Sequence, residues 1–135
     1  MPLNAYLNFP GNTREAVLYY ASVFGLDEPQ IITFGEHSAE GIPSEAKDLV
    51  MHARLEIEGS SLMFSDVFPG MPFQQGSNFS LALVTKDEQL LAHSFDQLKQ
   101  GGEVQMELQE TSWTKLYGAV IDKFGVAWQF NYDQS

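Results

Sequence analysis

Along the hydrophobic pattern of the chain, Leu116, Gly118 and Val120 alternate with Tyr117, Ala119 and Ile121 at a period of two. The alternation resumes through Val126, Trp128 and Phe130 against Ala127, Gln129 and Asn131. This is the period of a strand, and the intervening Asp122-Lys123-Phe124-Gly125 predicts a tight turn, so the stretch from Thr111 to Phe130 reads as a hairpin. It has an echo. Met51, Ala53, Leu55, Gly59, Leu62 and Phe64 stand 66 positions before Tyr117, Ala119, Ile121, Gly125, Trp128 and Phe130, which implies an internal duplication.

The rest of the chain fits two copies of one unit. Leu3 to Phe9 predicts a first strand, ended by Pro10-Gly11. Asn12 and Glu15 have capping-box spacing, and Ala16, Val17, Tyr20, Val23 and Phe24 recur at helical spacing up to Gly25. Gln30 to Phe34, Leu49 to Ile57 and Ser61 to Val67 predict three more strands, with a long loop from Glu36 to Asp48 between the first two. Phe68 to Ser77, with two prolines and two glycines, reads as a linker. The pattern then restarts with a strand through Phe79, Leu81 and Leu83, and a capping box at Thr85 and Glu88. A helix stripe of Leu91, Phe95 and Leu98 is stopped by Gly101-Gly102, and a strand from Glu103 to Leu108 leads into the hairpin. The expectation is one α+β domain spanning 1–135, made of two βαβββ modules at about 1–67 and 78–135 with the linker at 68–77. One helix covers one face of each four-stranded sheet, and the two remaining faces form a curved mixed sheet around a cleft. By alternation Ala5, Leu7, His52, Arg54, Met63, Ser65, Asn78, Ser80, Ala127, Gln129 and Asn131 face the cleft, an assignment that a one-residue slip would invert.

Composition narrows the function classes. Seven basic against eighteen acidic side chains leave a net charge of -11, which repels phosphate backbones and anionic membrane surfaces and argues against a nucleic-acid or membrane partner. There is no cysteine, hence no disulfide, thiolate metal site or cysteine nucleophile, which is compatible with the cytoplasm. MPLNAYLNF has no basic segment followed by a long apolar run, and no stretch approaches the length of a membrane span. The chain also has no GxGxxG, P-loop, GxSxG or HExxH.

The duplicated unit, the helix AVLYYASVFG, the double strand LVMHARLEIEGSSLMFSDVFPG and the hairpin TSWTKLYGAVIDKFGVAWQF together resemble the glyoxalase/bleomycin-resistance (vicinal oxygen chelate) superfamily. Within it the chain resembles the PhnB-like branch, often labelled 3-demethylubiquinone methyltransferase-like. The resemblance covers nearly the whole chain. Its marks are Met51-His52-Ala53, Ser65-Asp66, Pro69-Gly70, Trp113, Tyr117-Gly118, and Asp122 followed by Phe124-Gly125 and Trp128; Lys123 and Val126 depart from it in the turn. It implies a glyoxalase-like fold, a homodimer, and in enzymes of the superfamily a divalent metal held by one residue on the first and last strand of each half. Those positions fall at Ala5, Met63, Asn78 and Gln129, which offer a methyl, a thioether and two neutral amides, so no metal and no cofactor is expected. The methyltransferase label finds no glycine-rich strand-to-helix turn to support it.

The leading expectation is metal-independent binding of a small-molecule ligand in the cleft. Trp113 and Tyr117 would stack on the ligand, while His52, Arg54, Asn78 and Gln129 orient it. Each has another reading: His52 as a structural histidine, general base or metal ligand, Arg54 paired with Glu56, and Trp113 and Tyr117 filling an interface or covering the core. Asp66 either caps a turn or serves as an acid/base. No catalytic residue is assigned. The competing classes are a lyase, isomerase or dioxygenase using His52 or a degenerate metal site, and an interaction protein with a vestigial cleft.

Overall fold

Two amphipathic helices each need one apolar surface to cover, and each finds it on a sheet built from its own half of the chain. The computed structural model describes residues 3–37 and 40–135, and its contacts divide the chain into two compact units, Met1–Gln74 and Gln75–Ser135. In the first unit, strand β1 (Ala5–Phe9) leads to helix α1 (Thr13–Val23), β2 (Ile31–Thr33), a four-residue helix α2 (Phe34–His37), a 3-10 turn at Ser44–Ala46, and the hairpin β3 (Val50–Ile57) and β4 (Ser60–Asp66). The sheet order is β1-β4-β3-β2, with β1 parallel to β4 and the other pairs antiparallel. In the second unit β5 (Leu81–Thr85), helix α3 (Glu88–Leu98), β6 (Glu103–Gln109), β7 (Tyr117–Ile121) and β8 (Ala127–Tyr132) repeat the arrangement as β5-β8-β7-β6. The fold is thus α+β, two βαβββ modules. No described helix is long and apolar enough to cross a membrane.

Each helix packs as its stripe requires. Ala16, Val17 and Tyr20 of α1 are fully buried with Ala53 and Phe64, and the Phe64 ring stacks on Tyr20 and Phe9. In the second unit Leu91, Phe95 and Leu98 cover Val120, Trp128 and Phe130, with Phe95 edge-on to Phe130. Burying each such side chain favours folding by roughly 1.5–3 kcal/mol.

The helix starts differ from the sequence expectation. Asn12 makes no side-chain cap on α1. Asp66, at the far end of β4, takes that role: Oδ1 accepts from the backbone N–H of Gly11 and Thr13 at 3.1 and 3.0 Å, and Oδ2 from that of Val50 at 2.8 Å. A carboxylate from a distant strand displaces the local cap because it reaches three donors at once. At α3 the cap is Asp87 rather than Thr85, its side chain accepting from Leu90 N–H. Gly101 supplies the positive φ that ends α3, and a Cβ on Gly102 would collide with the Ile121 carbonyl.

The register corrects two further expectations. Leu7 pairs with Phe64 and Ala5 with Leu62, both on the helix side, so Tyr6 and Asn8, not Ala5 and Leu7, share the open face with Met63 and Ser65. The 66-residue echo holds for β4 and β8, where Leu62 and Phe64 match the buried Trp128 and Phe130. It fails for β3 and β7. Phe64 pairs with Ala53 whereas Phe130 pairs with Gly118, so the counterparts of Ala53 and Leu55 are Gly118 and Val120. The cause is the turn: Ile57 pairs with Ser60, while Asp122 and Val126 close a longer turn through an Asp122 N–H to Val126 O bond. Phe79 precedes β5 and is exposed, and the Glu36–Asp48 loop contains the end of α2 and the 3-10 turn. Residues 1, 2, 38 and 39, which fall in the predicted N-terminal stretch and that loop, lie outside the described residues.

Replacing Asp66 with Ala would leave three buried or half-buried N–H groups without an acceptor. The expected loss is about 3 kcal/mol or more in urea unfolding; an unchanged midpoint would show that Asp66 is not the cap of α1.

Candidate functional site

Each sheet has one face without a helix, and polar side chains gather on both. On the first unit's open face, His52 in β3 stands with Arg54 two residues along. Tyr6 Oη lies 3.1 Å from His52 Nδ1, and Ser65 Oγ donates to Asn8 Oδ1 at 2.9 Å. Arg54 is engaged: it meets Glu56 Oε1 through Nε and a terminal nitrogen, both at 2.7 Å, and donates to Ser61 Oγ at 2.7 Å. Ser61 Oγ in turn donates to Glu56 Oε1 at 2.5 Å. These donors, Ser61 first and Arg54 second, hold the Glu56 carboxyl below its ordinary range. The arginine expected to orient a ligand is closed into an ion pair on its own strand.

On the second unit's open face, Gln129 of β8 lies between Ala82 of β5 and Ala119 of β7, so small neighbours leave its amide accessible. Its Nε2 donates to Ser80 Oγ at 2.8 Å. Towards one end of this face a concavity of about 310 Å³ is lined by residues including Asn78, Ser80, Gln105, Ile121 and Ala127. Gln105 enters it because β6 bulges between Val104 and Met106, giving β6 one residue more than β7 there. Towards the other end Trp113, 60% exposed, packs edge-on against Tyr117 with ring centroids 5.5 Å apart. Tyr117 and Ile121 are separated by four residues of β7, roughly 13 Å along the strand. Asn78 and the Trp113–Tyr117 pair therefore occupy opposite ends of one face, with Gln129 between them.

Of the remaining motif residues, Asp122 holds the β7–β8 turn. Asp122 Oδ1 accepts from Phe124 and Val126 N–H, and Oδ2 from the Trp128 indole at 2.9 Å. His37 and His93 are exposed, on α2 and α3. Sequence alternation places neither Tyr6 nor Gln105 on an open face. For Tyr6 the missing signal was the β1 register, and for Gln105 a bulge that alternation cannot announce.

The positions at which the resemblance implies metal ligands do not suit a divalent ion. The register sets Tyr6 rather than Ala5 beside Met63, and Ala82 beside Gln129, whose amide already holds Ser80. A phenol, a thioether, a methyl group and a neutral amide form a poor donor set for a hard or borderline cation. Among the described residues no three His, Asp or Glu side chains gather to hold a metal.

The family model described as 3-demethylubiquinone-9 3-methyltransferase matches residues 3–131. Protein YjdN of Escherichia coli (strain K12) is 37% identical over 140 residues, covering 97% of this chain and 95% of that protein. Among solved structures, protein PA1353 from Pseudomonas aeruginosa is 34% identical with a TM-score of 0.86, covering 100% of this chain and 99% of its own. The putative 3-demethylubiquinone-9 3-methyltransferase, PhnB protein, from Bacillus cereus is 28% identical with a TM-score of 0.78, covering 98% and 99%. The fosfomycin resistance protein FosX from Listeria monocytogenes, 11% identical with a TM-score of 0.60 over 97% and 91%, shares the fold alone.

The ion pair on the first unit's open face can be tested by titration. A depressed carboxyl pKa contributes stability above the unfolded-state value and loses it as pH falls through the folded-state value. Ser61→Ala is expected to move the Glu56 midpoint up towards the ordinary carboxylate range, read by carboxyl carbon NMR. An unmoved midpoint would show that Ser61 does not hold Glu56.

Proposed function

Because the chain belongs to the 3-demethylubiquinone-9 3-methyltransferase family, PhnB-like proteins of the glyoxalase/bleomycin-resistance fold, we propose that it binds a small, uncharged organic molecule without a metal ion. The site is the open face of the second unit. Gln129 carries this reading: a neutral amide stands at a position where the superfamily's metalloenzymes carry a ligand, and it is flanked by two alanines and hydrogen-bonded to Ser80. Among the described residues, no charged side chain lines the adjacent concavity.

An elongated ligand suits this face. Its polar end meets Asn78, Ser80 and Gln105, its middle meets Gln129, and its planar end lies against Trp113 and Tyr117, whose rings supply contact area at low entropic cost. Sequestration is the concrete form of the activity, and we take the working species to be a homodimer, a reading supported by the exposed Met71, Phe73 and Phe79. His52 and Arg54 lie on the other unit, and Arg54 is held by Glu56, so neither is given a role at this face. Methyl transfer, named in the family description, is not part of the proposal, since the chain has no glycine-rich turn of the adenosyl-donor kind.

Protein purified without chelator is expected to carry no stoichiometric metal, and Ni, Zn, Fe and Mn salts to leave its melting temperature unchanged. One ion that binds at unit stoichiometry and raises the melting temperature would overturn the metal-free reading. A panel of neutral aromatic lactams and amides is expected to yield compounds that quench Trp113 emission, with Trp128 buried as an internal reference. Gln129→Ala should weaken their affinity about fivefold or more.

A further inference from the structure

Tyr6 and His52 belong to strands that are not neighbours, because β4 runs between β1 and β3. Adjacent strands lie about 4.8 Å apart, so both side chains must lean over β4 to bring Tyr6 Oη within 3.1 Å of His52 Nδ1 and the ring centroids to 5.8 Å. Tyr6 remains 44% exposed and His52 half-buried, so the couple is open to a ligand.

Neither tautomer saturates this contact. With Nδ1 unprotonated, the tyrosine O–H donates to it, Nε2–H is left as a donor, and the tyrosine oxygen keeps a free lone pair. With Nδ1 protonated, the histidine donates, the tyrosine O–H is released, and Nε2 becomes the acceptor. In both states the couple offers one donor and one acceptor. Its polar neighbours are engaged with one another. Ile32 pairs with His52 and Met63 with Tyr6, Ser65 is bound to Asn8, and the nearest charges on the face, Arg54 and Glu56, are bound to each other.

We propose that Tyr6 and His52 form a ligand-binding couple for a neutral group carrying a donor and an acceptor side by side, a carboxamide or an α-hydroxycarbonyl, on a small apolar body. An anion would find Arg54 already bound by Glu56 on this face and would meet the field of a chain with a net charge of -11. A ligand with acceptors alone would satisfy half of the couple and leave the other half without a partner.

The test uses the full chain with labelled histidine, whose three ring systems are His37, His52 and His93. Benzamide, with donor and acceptor adjacent, is expected to shift the His52 ring nitrogens saturably while leaving His37 and His93 unmoved. Benzoate and acetophenone are expected to do so about five- to tenfold more weakly. Tyr6→Phe keeps the ring and should weaken benzamide by a similar factor, with unchanged circular dichroism. Three results would overturn the proposal: no shift at His52, equal binding of benzoate or acetophenone, or full benzamide affinity in Tyr6→Phe. Failure of the Gln129 reading is scored separately, by Trp113 emission in Gln129→Ala, and alters none of these outcomes.

Discussion

One buried carboxylate in each unit ties together segments that hydrophobic burial alone would leave free to slide. Asp66 joins the end of β4 to the start of α1 and the start of β3 through three backbone N–H groups. Asp122 joins both ends of the β7–β8 turn and the Trp128 indole. Apolar contact is non-directional, so it brings helix and sheet together without choosing a register. A desolvated carboxylate does choose, because its lone pairs are satisfied at one alignment of the donors and a slipped alignment leaves them costly.

Register matters here because it decides the chemistry of the open faces. With Phe64 and Phe130 committed to the helices, Met63 and Gln129 turn outward, as do Tyr6 and Ala82 beside them. The longer second turn then shifts β7 by one residue relative to β3. Tyr117 becomes the counterpart of His52, and Ala119 that of Arg54. The first unit thus presents an imidazole, a phenol and a closed ion pair, while the second presents an amide between two alanines. Divergence between the halves arises from one added turn residue as much as from substitutions.

The first face pairs its charges, and the concavity on the second has an uncharged lining. Despite eighteen acidic side chains in the chain, the charged residues on the first face neutralise each other, and the concavity on the second is lined by amides, hydroxyls and apolar groups. Neutral hydrogen-bonding groups discriminate by the geometry of donors and acceptors rather than by long-range field, since an unmatched buried partner costs more than a matched one contributes.

The sequence by itself determined the two βαβββ modules, the strand phases of β3, β4 and β8, and the stripes of both helices. These depend on periodicities of two and 3.6 that burial enforces locally. It also placed Gln129 and Met63 on the open faces, because their neighbours Trp128, Phe130, Leu62 and Phe64 are too apolar to stand there. Only the tertiary structure decided the phase of β1, where AYLNF offers apolar residues on both faces and the parallel pairing with β4 selects Leu7 and Phe9 for the core. The same holds for the cap of α1, supplied by Asp66 from more than fifty positions away. It holds too for the Tyr6–His52 contact, which forms across an intervening strand and so leaves no trace in spacing. Local patterns record which face a residue prefers; which residues meet across that face depends on strand order, and strand order is a property of the folded chain.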